Sequence, residues 1–322
     1  VHAEVTHRPP RAVCLLVAAL AGLAGCSGSE PAGPAAARPE RTPSAGRLPA
    51  AAVDMVTRSG TWPRTQQTLD TAVNELVHRC MKRAGFAYPA ARAPLPEAFD
   101  DAKALVDLDR RKRYGYGIAA RPPAAGQPPA PYYTGLDEDR RRRFDLAFSG
   151  PPGVKKEVET GMGTVRVADR GCGAEARRRL TGDVVSWARM YYVPQALNGR
   201  LDAQVPRQPG YVSALTGWRV CMTERGHPFP TPEKARKSLA DAYGNSGRKN
   251  AQLKANDAFR WKERAIAVAD GECALKMRLP ESALAGRRAL VASLPGKDRA
   301  LLAELTRLQS AALERAERVV GR

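Results

Sequence analysis

Apolar residues recur at three-and-four spacing along several stretches of this chain, with polar residues between them, which is the pattern of a helix with one buried face. Leu69, Val73, Leu76, Val77, Cys80, Met81 and Ala84 form the first such stripe, in a helix beginning near Thr65 and stopped by Gly85. Glycine takes the left-handed conformation that ends a helix at no steric cost. A second stripe, Val212, Leu215, Trp218, Cys221 and Met222, begins near Tyr211 and stops at Gly226. Thr231 is placed to cap a helix starting at Pro232, which Gly244 and Gly247 are expected to break. A longer helix follows from about Asn250 to Leu279, with Ala258, Trp261, Ala265, Val268, Ala269 and Cys273 on one face and Pro280 as its stop. Leu301, Leu302, Leu305, Leu308, Ala312, Ala316 and Val319 mark a last amphipathic helical pair from Glu281 to Gly321, broken at Pro295-Gly296. Glu314 and Arg318 lie four residues apart on its far side.

The strand signal is confined to one place. Lys155 to Glu159 and Thr164 to Val167 alternate about Gly161-Met162-Gly163, which predicts a β-hairpin. Before it lies a proline- and glycine-rich insertion from Pro94 to about Pro131, then a short helix over Asp137 to Phe148. After it, Cys172 opens a helix running through Arg179 toward Tyr192, where Pro194 disturbs or ends it. The expected fold is therefore mainly α.

A short motif occurs twice. Cys80-Met81-Lys82-Arg83-Ala84-Gly85 is followed by Tyr88-Pro89, and Cys221-Met222-Thr223-Glu224-Arg225-Gly226 by Phe229-Pro230. Each is answered downstream by a second motif, Val167-Ala168-Asp169 with Cys172 and Val268-Ala269-Asp270 with Cys273. This reads as one helical unit duplicated, over residues 61–205 and 206–322, with the insertion and the hairpin in the first copy. Four cysteines allow three pairings. The repeat selects Cys80 with Cys172 and Cys221 with Cys273, which lie 92 and 52 residues apart. Closing loops of that length stabilises a fold by on the order of 4 kcal/mol each. No Cys-x-x-Cys pair occurs, so redox chemistry is not the first reading.

The segment before the first unit has a different character. Arg8 and Arg11 precede an apolar run from Ala12 to Ala24, too short to span a bilayer as a helix and of the length of a signal-peptide core. It ends in Leu23-Ala24-Gly25-Cys26, which resembles the lipobox of bacterial lipoproteins. The resemblance implies removal of residues 1–25, Cys14 with them, and acylation of Cys26 by diacylglycerol and palmitate-like chains. It also implies an anchor on the outer face of the cytoplasmic membrane. Residues 26–60, rich in Pro, Ala and Gly, are expected to form a tether without a core. Export in turn favours oxidised cysteines.

Composition sharpens this picture in two respects. Of the 322 residues 43% are apolar but only 6% aromatic, and alanine dominates, which favours closely packed helices over a thick β core. Alanine, arginine and proline usage looks like translation from GC-rich DNA, with Val1 read as a GTG start. The formal net charge is +19. With an export signal present, nucleic acid is not the expected partner. The anionic partners of an envelope surface are lipid headgroups and phosphate-rich wall polymers.

Chemistry is sparse. His78 and His227 have no zinc-type spacing, no phosphate-binding glycine loop or Gly-x-Ser-x-Gly elbow is present, and no cofactor is implied. Asp169 and Asp270 recur, and the plainest expectation is the same structural contact in each copy. The anion-binding candidate is Arg110, Arg111, Lys112, Arg113, Tyr114 and Tyr116, where cations interleave with aromatics; Arg140 to Arg143 and Arg177 to Arg179 add density. The twin Cys-Met-x-x-x-Gly motifs with their later cysteines resemble a group of uncharacterised secreted actinobacterial lipoproteins, Streptomyces-like, over residues 65–280. That resemblance implies location and a duplicated helical fold, and carries no catalytic assignment. The expectation is a non-enzymatic binding or accessory module facing the cell wall or a membrane complex. The alternatives are an enzyme on wall polymers or a solute-capturing lipoprotein of a transporter.

Overall fold

The computed structural model describes residues 5–6, 47–119, 131–249 and 257–321. Apart from the two-residue strand β1 (Val5–Thr6), residues 1–46, on which the expected signal segment, Cys26 and most of the expected tether fall, lie outside them. The architecture is mainly α, with two disulfide-stapled helical units. In chain order the helices are α1 (Ala50–Thr57), α2 (Trp62–Arg83), α3 (Ala102–Val106), α4 (Leu108–Tyr114), α5 (Pro131–Thr134) and α6 (Glu138–Ser149). After the hairpin come α7 (Cys172–Thr181), α8 (Val184–Asp202), α9 (Pro209–Glu224), α10 (Pro232–Lys249), α11 (Asp257–Lys276), α12 (Leu279–Ala292) and α13 (Gly296–Val320). No helix among the described residues is long and apolar enough to cross a membrane.

The hairpin forms as its alternation predicts. β2 (Lys155–Glu159) pairs antiparallel with β3 (Thr164–Ala168), setting Val158 opposite Val165, and β1 pairs with the other edge of β3. The tight turn needs Gly161 and Gly163 at φ +86° and +126°, closed by the Thr160 hydroxyl donating to the Gly163 carbonyl at 2.8 Å.

Each staple joins the end of one helix to a later helix. Cys80 of α2 is bonded to Cys172 of α7, and Cys221 of α9 to Cys273 of α11. Around the first bridge Leu69, Leu76, Val77, Met81, Leu180 and Trp187 pack with Phe144 and Phe148 of α6. Around the second, Leu215, Trp218, Met222, Ala269, Ala274 and Leu279 close up. Burying each large side chain contributes roughly 1.5–3 kcal/mol.

The two units nevertheless exchange elements, which the division at residues 205 and 206 did not anticipate. α13, from the second copy, lays Leu308, Ala312, Ala316 and Val319 into the core of the first. Its Leu302 and Leu305 join a further core with Ala52, Met55 and Val56 of α1, Val193, Leu197 and Leu201 of α8, and Val291 of α12. In the other direction α3 and α4, from the insertion of the first copy, place Val106 and Leu108 in the core of the second.

Four local expectations need correction. The expected tether runs as far as residue 60, but Ala50–Thr57 is helix α1, which buries Ala52, Met55 and Val56. α8 runs through Pro194 to Asp202, since Trp187, Met190, Val193, Leu197 and Leu201 are buried along its length; the break comes earlier, at Gly182 and Asp183, whose side chain caps α8. α10 continues past Gly244 and Gly247. Pro280 does not end α11; it occupies the first turn of α12, where its missing N–H is no loss.

Candidate functional site

α11 carries two acidic side chains two helical turns apart on its inward face, Glu263 and Asp270, only 1% and 2% exposed. The segment formed by α3, α4 and the turn after them acts as a strap that supplies their partners. Arg111 of α4 donates through Nη1 to Asp270 Oδ2 at 2.5 Å and to the Ala267 carbonyl at 2.9 Å, and through Nε to the Val106 carbonyl at 2.7 Å. The Tyr116 hydroxyl donates to the same Asp270 oxygen at 2.9 Å, and Trp218 Nε1 of α9 to the other at 3.0 Å. Glu263 accepts from the backbone N–H groups of Ile118 and Ala119 at 2.8 and 3.1 Å. A buried carboxylate is tolerable only with such donors. Burial, reinforced by the Asp270 charge, pushes the Tyr116 phenol far above its ordinary pKa, so it remains a donor throughout the neutral range.

Close approach of the strap rests on two glycines. A Cβ at Gly115, which has φ +62°, would lie 2.7 Å from the Glu263 side chain. One at Gly271 of α11 would lie 2.7 Å from Leu108 and 2.9 Å from Val106.

The six residues read as one anion-binding run are therefore divided by the structure. Arg111 and Tyr116 point inward and both donate to Asp270, the Arg111 guanidinium also lying 5.4 Å from the Tyr116 ring centre. They are clamps, which corrects their assignment as ligand-binding groups. Arg110, Lys112 and Arg113 stay on the surface, Lys112 3.7 Å from Asp109 and Arg113 stacked near Tyr114.

Lys112 opens instead onto a groove of about 430 Å³ on the outer side of α11. Ala265 and Val268 help line its floor, and Trp261, Arg264 and Arg225 stand around it. Trp261 is 68% exposed, so the indole is not in the core stripe that the helical spacing suggested. The inward face is Glu263, Ile266, Ala267 and Asp270, rotated from that stripe. Arg225 is paired with Glu272. Arg264 has no acidic partner within ion-pair reach among the described residues, and Arg260 and Lys262 are exposed on the same helix. An aromatic edge, a shallow apolar floor and several cations together suit a surface bearing phosphates.

The other sequence candidates are placed as follows. Asp169 does not repeat the contact of Asp270. It lies half-exposed before α7, facing Arg178 at 3.5 Å and Lys156 at 3.9 Å, because the first copy reaches its cysteine through a strand and a turn rather than inside a helix. His78 Nδ1 donates to the Tyr88 carbonyl, and the His227 N–H to the Met222 carbonyl at 2.9 Å as part of a helix stop. Arg142 pairs with Glu138 and Asp139, and Arg179 with Glu175. Arg177 is drawn into the protein, its pKa lowered by burial, facing Asp70, whose carboxyl burial raises. Cys26 lies outside the described residues. The buried acid Glu263 and the exposed Trp261 went unread as a pair of opposite faces; a tryptophan with Arg260, Lys262 and Arg264 around it was the signal available.

No family model matches the chain, and no solved structure matches it. One similarity to a curated protein is found: 89 residues, 28% of this chain, are 32% identical to a stretch of the cytosolic Fe-S cluster assembly factor NAR1 of Coccidioides immitis (strain RS). The match spans 14% of that protein's length. All four cysteines among the described residues are joined in disulfides.

Proposed function

We propose that this chain is an extracytoplasmic lipoprotein, acylated at Cys26, that works as a non-enzymatic binding module against the phosphate-bearing surface of the cell envelope. The observation that carries the reading is the groove of α11, where the exposed Trp261 stands among Lys112, Arg225 and Arg264. Each cation near an anionic surface contributes about 1 kcal/mol at moderate ionic strength. An indole partitions into the headgroup region, so aromatic and cations favour one and the same face. The overall charge of +19 draws the molecule toward that surface, and the groove gives the encounter an orientation. The lipobox-like Leu23-Ala24-Gly25-Cys26 supplies the anchor and the export route of this reading.

Two measurements test it. Labelled palmitate should enter the protein in a bacterial host and fail to enter the Cys26→Ser variant. A chain begun at Ser27, without the apolar run and the acylated cysteine, should sediment with vesicles rich in phosphatidylglycerol or with isolated walls bearing phosphate polymers, and not with neutral vesicles. Whichever of the two binds more tightly identifies the surface. Trp261→Ala combined with Arg264→Glu should weaken binding tenfold or more. Binding that is indifferent to both changes, or equal on neutral vesicles, would sink the assignment.

A further inference from the structure

The two disulfides, alike in sequence, differ at particular ends: Cys172 is 3% exposed, as Cys221 is, but it opens a helix, and its partner Cys80 is only partly buried. Cys221 and Cys273 are 3% and 0% exposed and lie in the core beside Trp218 and Met222. Both belong to the last turns of their helices, α9 and α11. There the unpaired carbonyls disfavour a thiolate. In the first bridge, Cys172 is the first residue of α7, behind Gly171 and with no side chain capping the open N–H groups. A thiolate is favoured at such a position. Cys80, its partner, lies in the last turn of α2 as Cys221 does in α9, but it is only partly buried, at the edge of its core. The bridge opens onto a groove of about 610 Å³ between Ala84, Leu146, Gly171 and Glu175. Glu175 Oε2 is 3.5 Å from Cys80 Sγ, and its other oxygen is ion-paired with Arg83 and Arg179 at 3.4 and 3.3 Å.

We infer that Cys80–Cys172 is a thiol–disulfide exchange site, attacked at Cys80 with Cys172 as the leaving sulfur, while Cys221–Cys273 is a structural staple only. The substrate class is a thiolate carried by a small molecule or by a protein dithiol. In the first step the incoming thiolate bonds to Cys80 Sγ, the Cys80–Cys172 bond breaks, and its electron pair leaves on Cys172. A second thiolate then attacks the sulfur of the mixed disulfide that came from the first. It carries away a disulfide and leaves Cys80 as a thiolate, which takes a proton from water. Two thiols are oxidised and one disulfide reduced. Glu175, in contact with Cys80 Sγ, then accepts the hydrogen bond of the new thiol, which favours the opened state. The α2 and α7 faces also meet through Leu69, Leu76, Met81 and Leu180 of the same core, contacts that opening the bridge leaves in place. Opening Cys221–Cys273 requires dismantling the core around Trp218. This inference is independent of the groove on α11.

The test uses the full chain, oxidised and without denaturant. It is exposed in one arm to glutathione and in the other to a reduced protein with a Cys-x-x-Cys pair, then quenched with N-ethylmaleimide and mapped by peptide mass spectrometry. Expected are a glutathione adduct on Cys80, maleimide on Cys172, and opening at least tenfold faster than at Cys221–Cys273. The faster arm identifies the source of the thiolate. Equal rates at the two bridges, no reaction short of unfolding, or the adduct on Cys172 would each overturn the inference. The Cys80→Ser/Cys172→Ser double variant should lose the fast phase and keep its near-ultraviolet dichroism. Should it fail to fold, the mapping of the unaltered chain still decides.

Discussion

Asp270 gathers three donors from two parts of the chain, Arg111 and Tyr116 of the strap and Trp218 of α9. Removing its charge leaves Arg111, whose side chain is 19% exposed, without its ionic partner. Breaking one side of a buried pair costs about 3–5 kcal/mol. Arg111 keeps two carbonyl acceptors, so Asp270→Asn should fall near the lower end of that range, as read from the shift in urea midpoint. Tyr116 gives a second expectation, with a definite sign. Its folded pKa is raised, so stability is fully present below about pH 10 and declines above it, as the unfolded phenol releases a proton that the folded one retains. Thermal midpoints of the parent should thus fall more steeply between pH 9 and pH 11 than those of Tyr116→Phe, which lacks this linkage; parallel profiles would refute it. These roles were only half legible in the chain. Arg110, Arg111, Lys112 and Arg113 are indistinguishable as a run of cations, and α4 turns just one of them toward Asp270.

At the level of elements, α11 shows how a helix with two useful faces is misread. Ala258, Trp261, Ala265, Val268 and Ala269 satisfy helical spacing, yet much of that stripe lines an open groove, because Glu263 and Asp270 are the residues the strap covers. Apolar periodicity treats an acid as a surface residue and has no means of knowing that donors arrive from 150 residues earlier. The strap's closeness can be tested at Gly271. Alanine there gains about 1 kcal/mol in helix propensity. Its Cβ would overlap Leu108, Val106 and Arg111 at 2.7 to 3.1 Å, and overpacking of this kind costs about 1–3 kcal/mol. Gly271→Ala should therefore destabilise on balance and speed tryptic cleavage at Arg110, Arg111, Lys112 and Arg113. Unchanged cleavage would mean the strap is not held by this contact.

At the scale of the molecule, the exchange of α13 for α3 and α4 ties the copies together. Leu302 and Leu305 of α13 are fully buried with α1, α8 and α12, and Ala312 and Ala316 are fully buried against α2 and α7. Leu305→Ala should cost about 2–5 kcal/mol in equilibrium unfolding. A chain ending at Pro295 should lose cooperative unfolding and bind a hydrophobic dye. The fragment 61–205 alone should do the same, although by sequence it is a whole repeat. Independent cooperative folding of that fragment would show that α13 is an accessory rather than a shared core element.

The periodicity of apolar residues determined that helices form and where most of them lie. The paired motifs determined which cysteines join, and two glycines about Met162 determined the hairpin. These are local properties or direct repetition, so they survive being read one residue after another. Only the tertiary structure decided which copy each helix serves, which arginine is turned to Asp270, and which of two matching disulfides borders a surface groove. Those outcomes depend on what approaches from elsewhere in the chain, and a repeat in sequence does not oblige its two copies to meet the same neighbours.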